Sequence, residues 1–364
     1  MSPIIVVIGG SAGGLTALLQ LVAMLPRELP AALLAVLHIS PDSPSNLAGL
    51  LQARSLLPAS EAVHGEPLRA GHIYLAPPDF HVLVQATPPE VAAVAATGAA
   101  AAGAASSGAL GRIVLSHGPR ENRSRPAIDP LFRSAARAFG PRVVGVLLSG
   151  KLDDGTTGLL AIKARGGVAL VQDPDEAQFP SMVQSAVDHV RVDGVLGVNA
   201  LASRIVALAT APRDPEPPTA TLADDLLADR ELASTLLTPS TLVEPRDHPG
   251  TPSGFGCPEC GGALWELTEE DAAAAGEGGF LRYRCRTGHA LTAHSLLTAQ
   301  SDKLEEALWT ALRALEEKIA LSHTLAARNR GIFRASLIED AEDAKRHAEV
   351  LRQMLSLEEF HINE

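Results

Sequence analysis

Cysteine is scarce in this chain: three residues in 364, all between Cys257 and Cys285. Such usage excludes the disulfide framework that staples small secreted domains, and the clustering suggests a metal instead. Positive charge is also short, with 30 Lys and Arg against 42 Asp and Glu, a formal net charge of -12 and a pI near 5.5. That balance argues against a general nucleic-acid binder, because phosphate neutralisation needs a basic face. The first apolar run follows no basic leader, is too short to cross a bilayer and is broken by Gly9, Gly10, Gly13 and Gly14. A cytoplasmic protein without direct membrane insertion is expected. Aromatics make up only 3%, so the 46% apolar share rests on small and aliphatic side chains. This is a globular composition in a chain long enough for two or three domains.

What is present is an alternation. "IIVVIG" reads as a buried strand and "LTALLQLVAML" as a helix; "ALLAVLHIS" is a second strand, and "SPSNLAGLLQAR" a helix capped by Ser43 or Ser45. "GHIYLAPPDFHVLV" predicts a hairpin turning at Pro77-Pro78-Asp79. Then come the helix "DPLFRSAARAF", the strand "RVVGVLLSG", the helix "GTTGLLAIKARG", the strand "GVALVQ", the helix "SMVQSAVDH" and the run "VDGVLGVNALASRIVALA". The predicted fold class is α/β: a doubly wound, mostly parallel sheet with helices on both faces, followed by a small zinc ribbon and a C-terminal helical hairpin. We expect a catalytic domain over residues 1–210, with a low-complexity Ala/Gly/Ser insertion at 86–110 too poor in large side chains to hold one conformation. A Pro- and acid-rich linker at 211–250, containing a short helix at Leu222–Leu237, leads to a Cys-bearing unit at 251–290 and a helical tail at 291–364.

The loop "GGSAGG" lacks the lysine of a phosphate-binding P-loop, since Gly13-Gly14 is followed by Leu15, and no Gly-x-Gly-x-x-Gly register fits it. Gly9-x-Ser11-x-Gly13 instead suits a strand-to-helix turn that lifts a serine at the carboxyl edge of the sheet, where ligands bind in open α/β folds. A plain anion site or tight packing is the bland alternative. A serine needs a base, and the base an acid. His38 ends the second strand at the same edge; Asp153 and Asp154 follow "RVVGVLLSG" there. One of the two aspartates would cap the next helix and the other act.

Together, "VVIGGSAGGLTAL", "LHISP", "GHIYLAPPDFHVLV", "RPAIDPLFRSAA", "VVGVLLSGKLDDGTTGLLAIKARGG" and "VQDPDEAQFPSMVQSAV" resemble the catalytic domain of the chemotaxis protein-glutamate methylesterase (CheB) family over about residues 3–205. The resemblance implies hydrolysis of glutamate methyl esters on the signalling helices of methyl-accepting chemoreceptors, and deamidation of receptor glutamines. It places the family's nucleophile on Ser11, its histidine on His38 and its aspartate on Asp154. No cofactor is expected for catalysis. Backbone N–H groups of Ala12 and Lys151 are the expected oxyanion donors, although Lys151-Leu152 stands where the family usually has Met-Gly. The family's N-terminal receiver domain is not expected, because the motif begins at residue 3.

Cys257 and Cys260 have two residues between them, Cys285 and His289 three, with a hairpin-length stretch between the pairs. That spacing predicts a zinc ribbon with four protein ligands and hence a structural ion. Arg282, Arg284 and Arg286 alternate along one predicted strand and would make a basic stripe on a solvated face. In the tail, Leu304, Leu308, Leu312, Leu315 and Ile319 form one apolar stripe, and Leu337, Ala344, His347 and Leu351 a second; Asn329-Arg330-Gly331 would separate the helices. Packing of this hairpin, including a homodimer through it, is the expected use of the stripes. A non-catalytic signalling adaptor that binds helical partners is the alternative function, and a nucleic-acid-binding ribbon fits the charge poorly.

Overall fold

The computed structural model describes residues 3–40, 46–86, 109–211, 250–267 and 280–358. Ser43, Ser45, nearly all of the Ala/Gly insertion and the linker with its Leu222–Leu237 helix lie outside the described residues.

Four near-continuous apolar runs form the centre of a seven-stranded sheet: β1 (Ile4–Gly10), β2 (Ala31–Leu37), β8 (Val143–Leu147) and β9 (Val168–Gln172). The outer strands are β3 (Ala59–Glu61), β5 (His72–Leu75) and β10 (Gly194–Leu196), the order is β10-β9-β8-β1-β2-β5-β3, and every pairing is parallel. Alternate side chains of β1 serve opposite layers, as the two-residue strand period requires. Ile5 and Val7 pack under α3 (Ile128–Phe139), α4 (Thr156–Ala164) and α5 (Ser181–His189), while Ile4, Val6 and Ile8 pack under α1 (Gly14–Ala23), α2 (Leu47–Arg54) and α6 (Val198–Thr210). Covering both faces is what lets these strands be apolar throughout.

The expected hairpin at Pro77-Pro78-Asp79 does not form. The partners of β5 are the parallel strands β2 and β3, whereas β6 (His81–Ala86) pairs antiparallel with β7 (Gly111–Ser116) in a separate sheet ordered β4-β7-β6, β4 being Pro67–Leu68. Both flanks of β5 are taken, so the diproline turn carries the chain from one sheet to another. Strand β7, hidden behind the Ala/Gly stretch, was not foreseen.

A four-stranded antiparallel sheet follows, β11 (Thr251–Gly256), β12 (Ala263–Leu267), β13 (Arg282–Cys285) and β14 (Ala290–Thr292), and it belongs to the same compact unit as the parallel sheet. Arg282 is no part of an exposed stripe. It is buried and donates to Glu121 Oε2 at 3.2 Å.

From Leu296 onward the chain is a second unit, built on α7 (Ala293–Arg328) and α8 (Ile332–Glu358), with Gly331 at φ 71° in the turn between them. Leu312, Ala348 and Leu355 are buried against each other, flanked by Leu308, Leu315, Ile319 and Leu351. Two expected stripe members fall outside: Leu304 is 57% exposed and His347 is exposed, because the small residues Ala341, Ala344 and Ala348 carry the seam of α8. Among the described residues, no helix is long and apolar enough to cross a membrane.

Candidate active site

The ladder between β1 and β2 pairs Gly10 with Leu37, and one further step sets Ser11 beside His38. The backbone supports that continuation: His38 N–H donates to Gly10 O at 3.3 Å, and on the other flank Ser11 N–H donates to Ser149 O at 3.0 Å. Neighbouring strands run about 4.8 Å apart, so three segments converge at the carboxyl edge. After Ser11 the chain turns sharply into α1. Gly13 takes φ 73°, and a Cβ there would sit 2.7 Å from Ser149 Oγ, so only glycine fits. Ser149 braces the turn, donating its hydroxyl to Ala12 O at 2.8 Å and accepting Phe179 N–H at 2.9 Å.

His38 Nε2 bonds Asp154 Oδ2 at 2.8 Å. Nδ1 is therefore the ring nitrogen left to serve a hydroxyl. Asp154 is 1% exposed and also accepts Ile128 N–H (2.6 Å), Asn122 Nδ2 (2.9 Å) and Asp129 N–H (3.2 Å). Burial would raise its pKa, but the bond and charge of His38, with the Ile128 and Asn122 donors, hold it below the ordinary carboxylate value. Asp153 makes a different set of contacts, accepting Thr292 Oγ1 at 2.7 Å and Ser295 Oγ at 3.2 Å.

Neither aspartate caps α4 with its side chain. That task falls to Asp129, reaching from α3 to accept Gly155 N–H (3.1 Å), Gly158 N–H (2.7 Å) and the Thr157 hydroxyl. Burial and the neighbouring Asp154 charge push its pKa up to about 7. Of this close pair, Asp129 takes a proton first as pH falls, leaving Asp154 charged. Asn122 and Asp129 escaped the sequence reading, where "ENRSRPAID" looked like an ordinary polar approach to a helix. Asn122 stands at φ 47° and Arg123 at φ 67°, left-handed angles that local sequence only weakly favours.

The cleft around Ser11 and His38 is lined by Arg120, Asn122, Arg123, Ser124, Lys151, Leu152, Asp154, Glu259 and Ser295. A second serine–histidine pair, Ser60 Oγ with His72 Nε2 at 2.8 Å, lies elsewhere. His72 opens β5 at the amino end of the parallel sheet, away from the edge that carries Ser11.

His81 is buried just behind this edge, donating from Nε2 to Pro119 O at 3.0 Å and accepting Ala127 N–H on Nδ1 at 3.2 Å. Burial, opposed by Glu121, the Pro119 carbonyl and Asp154 and aided by Arg125, lowers its pKa. The unfolded chain therefore binds this proton first as pH falls. Stability is full above about pH 6.5 and is lost on acidification from there towards the folded value, by up to about 1.4 kcal/mol per pH unit. Thermal denaturation across that window should show a shallower pH slope for His81→Gln, which keeps one acceptor and one donor without the titration.

In the four-stranded sheet, the Sγ atoms of Cys257, Cys260 and Cys285 and a ring nitrogen of His289 all lie within 4.8 Å of one another. Cys257 Sγ to His289 Nδ1 is 3.8 Å, Cys285 Sγ to the same nitrogen 3.5 Å, and Cys260 Sγ to Cys285 Sγ 3.6 Å. A tetrahedral ion with metal–sulfur and metal–nitrogen distances of about 2.3 and 2.1 Å implies ligand separations of roughly 3.5–3.8 Å. The donor set fits a structural metal. Gly261 (φ 72°) and Gly288 (φ 105°) turn the two knuckles.

An open parallel sheet with serine, histidine and a buried aspartate at its carboxyl edge defines the class: α/β proteins built on the plan of a serine hydrolase. The family "CheB methylesterase" matches residues 6–205, and the chain belongs to it. A protein-glutamate methylesterase/protein-glutamine glutaminase of Anaeromyxobacter dehalogenans is 38% identical over 195 residues, covering 54% of this chain and 50% of that protein. A putative one of Leptospira interrogans is 32% identical over 203 residues, 56% of this chain and 93% of its own length. The chain spans about half the length of the Anaeromyxobacter relative and of a Methanosarcina mazei one. The solved CheB methylesterase catalytic domain of Thermotoga maritima is covered over 100% of its length by 57% of this chain, at 28% identity and a TM-score of 0.49.

Proposed function

We propose that this protein is a serine esterase that removes methyl groups from glutamates on the signalling helices of methyl-accepting chemoreceptors, and deamidates glutamines at equivalent positions. One observation carries the reading: the buried Asp154 carboxylate bonds His38, which stands one ladder step from Ser11, in a chain of the CheB methylesterase family. His38 takes the Ser11 proton on Nδ1 as Oγ adds to the ester carbonyl. The tetrahedral oxyanion collapses, and methoxide leaves with that proton as methanol. Water, deprotonated by the same imidazole, then adds to the acyl-enzyme and releases the glutamate carboxylate and Ser11. Asp154 fixes the ring tautomer and balances the imidazolium charge.

Elimination supports the oxyanion donors. Ser11 N–H is bound to Ser149 O and Gly150 N–H to Phe179 O, whereas Ala12 and Lys151 N–H have no hydrogen-bond partner among the described residues. Cys257, Cys260, Cys285 and His289 would hold a zinc ion that closes the ribbon and supplies folding energy, outside the esterase chemistry. The test is methanol release from a glutamate-methylated receptor-type helical peptide, alongside fluorophosphonate labelling of the full chain. Release together with labelling that His38→Ala abolishes is expected. Helix binding with neither would establish the adaptor reading instead.

A further inference from the structure

The metal-binding unit is fastened to the acid end of the triad. Strand β14, one residue past His289, runs alongside the turn that carries Asn122: Asn122 N–H donates to Ala290 O at 2.9 Å, Ala290 N–H to Arg120 O at 3.3 Å, and Thr292 N–H to Asn122 Oδ1 at 3.1 Å. Asn122 turns its Nδ2 to Asp154 and Asp129, at 2.9 and 3.1 Å. Thr292 Oγ1 also holds Asp153, the residue before the triad acid, at 2.7 Å. Beneath them Glu121 is buried between Arg133 of α3 and Arg282 of β13, at 2.8 and 3.2 Å. At the rim Glu259, in the knuckle between Cys257 and Cys260, lines the cleft with Ser11.

These contacts make the hydrogen bonding of a buried carboxylate depend on a strand that cannot hold itself. The described part of the unit buries only a few apolar side chains, Leu264, Tyr283, Ala290 and Leu291 among them, too small a core for four short strands. If β14 leaves, the Asn122 side chain loses the Thr292 N–H donor that orients its Oδ1, and Asp153 loses the Thr292 hydroxyl in a buried site.

From this we infer that the Cys257/Cys260/Cys285/His289 unit is a metal-dependent positioning element for the active site: ion binding orders β14, β14 orders Asn122 and Asp153, and these hold Asp154 against His38. The inference rests on both the zinc and the esterase readings. Asn122 and Thr292 are thereby positioning residues for the reaction.

The full chain is purified with zinc, its zinc content measured, and the ion then removed by a chelator and restored. Three quantities are followed: zinc per chain, the rate of fluorophosphonate labelling at Ser11, and amide exchange across residues 119–128 compared with β1, β2 and β8. One zinc per chain is expected. Its removal should slow labelling about 10- to 100-fold, reversibly, and expose residues 119–128 to exchange while the three sheet strands stay protected. Thr292→Val should keep its zinc, slow labelling about tenfold and leave KM for an ester substrate nearly unchanged. A labelling rate within twofold of the loaded protein after zinc loss, or a rate that rises, overturns the coupling with the metal reading intact. Absence of bound zinc, with no thiolate charge-transfer band on cobalt(II) titration, overturns the metal reading and the inference together. Should the loaded chain fail to label, the esterase reading fails on its own; zinc-dependent protection of 119–128 then still supports the coupling, and zinc-independent protection overturns it.

Discussion

Ser11→Ala is expected to lower methanol release by at least about four orders of magnitude, towards the level that binding and oxyanion donors alone sustain. The hydroxyl next in register cannot stand in. Ser149 is the closest by register, but its Oγ already donates to Ala12 O and accepts Phe179 N–H. The fold should survive, because the hydrogen bonds of Ser11 among the described residues are made by its backbone, to Ser149 O and from Gly14 N–H. A melting temperature close to that of the parent, with fluorophosphonate labelling lost, is the combination that identifies a nucleophile. Undiminished methanol release would refute the assignment.

Asp154→Asn should cost nearly as much, about 10⁴-fold in kcat, because an amide that donates to Nε2 leaves the imidazole in the wrong tautomer. Here the acid also has structural partners. Ile128, Asp129 and Asn122 all donate to it, and an amide cannot accept from all of them while meeting His38. The variant should therefore also lose roughly 1–3 kcal/mol of stability, read by denaturant unfolding. Asp153→Asn provides the control. Its side chain meets Thr292 and Ser295 and has no bond to His38, so its activity should fall far less. Combining Asp154→Asn with Ser11→Ala should lower the rate little beyond Ser11→Ala alone, since the groups act as one unit. Additive losses would show that Asp154 serves the fold and not the reaction.

The local pattern carried the alternating strands and helices well, because each strand buried on both faces is an unbroken apolar run and α1, α2, α4 and α6 each begin at a glycine or asparagine. Pairing partners were less visible. The diproline turn fits a hairpin as readily as a crossing between sheets, and only the competition of β2, β3 and β7 for partners decides between them. On α8, Ala344 and Leu351 pack as expected and His347 does not: Ala341 and Ala348 complete a seam of small residues, which a search for large side chains passes over.

The amino-acid order by itself determined the sheet edge, the glycine-bounded serine turn, the histidine one strand away and the four clustered metal-type ligands, because these depend on short-range spacing and period. Through which ring nitrogen His38 meets Asp154, that Asp129 caps α4 from another helix, and that β14 braces Asn122 were decided only by the tertiary structure. Each of those links joins residues far apart in the chain, and a buried carboxylate takes its donors from whichever backbone and side chains the packing delivers, a choice no local pattern encodes.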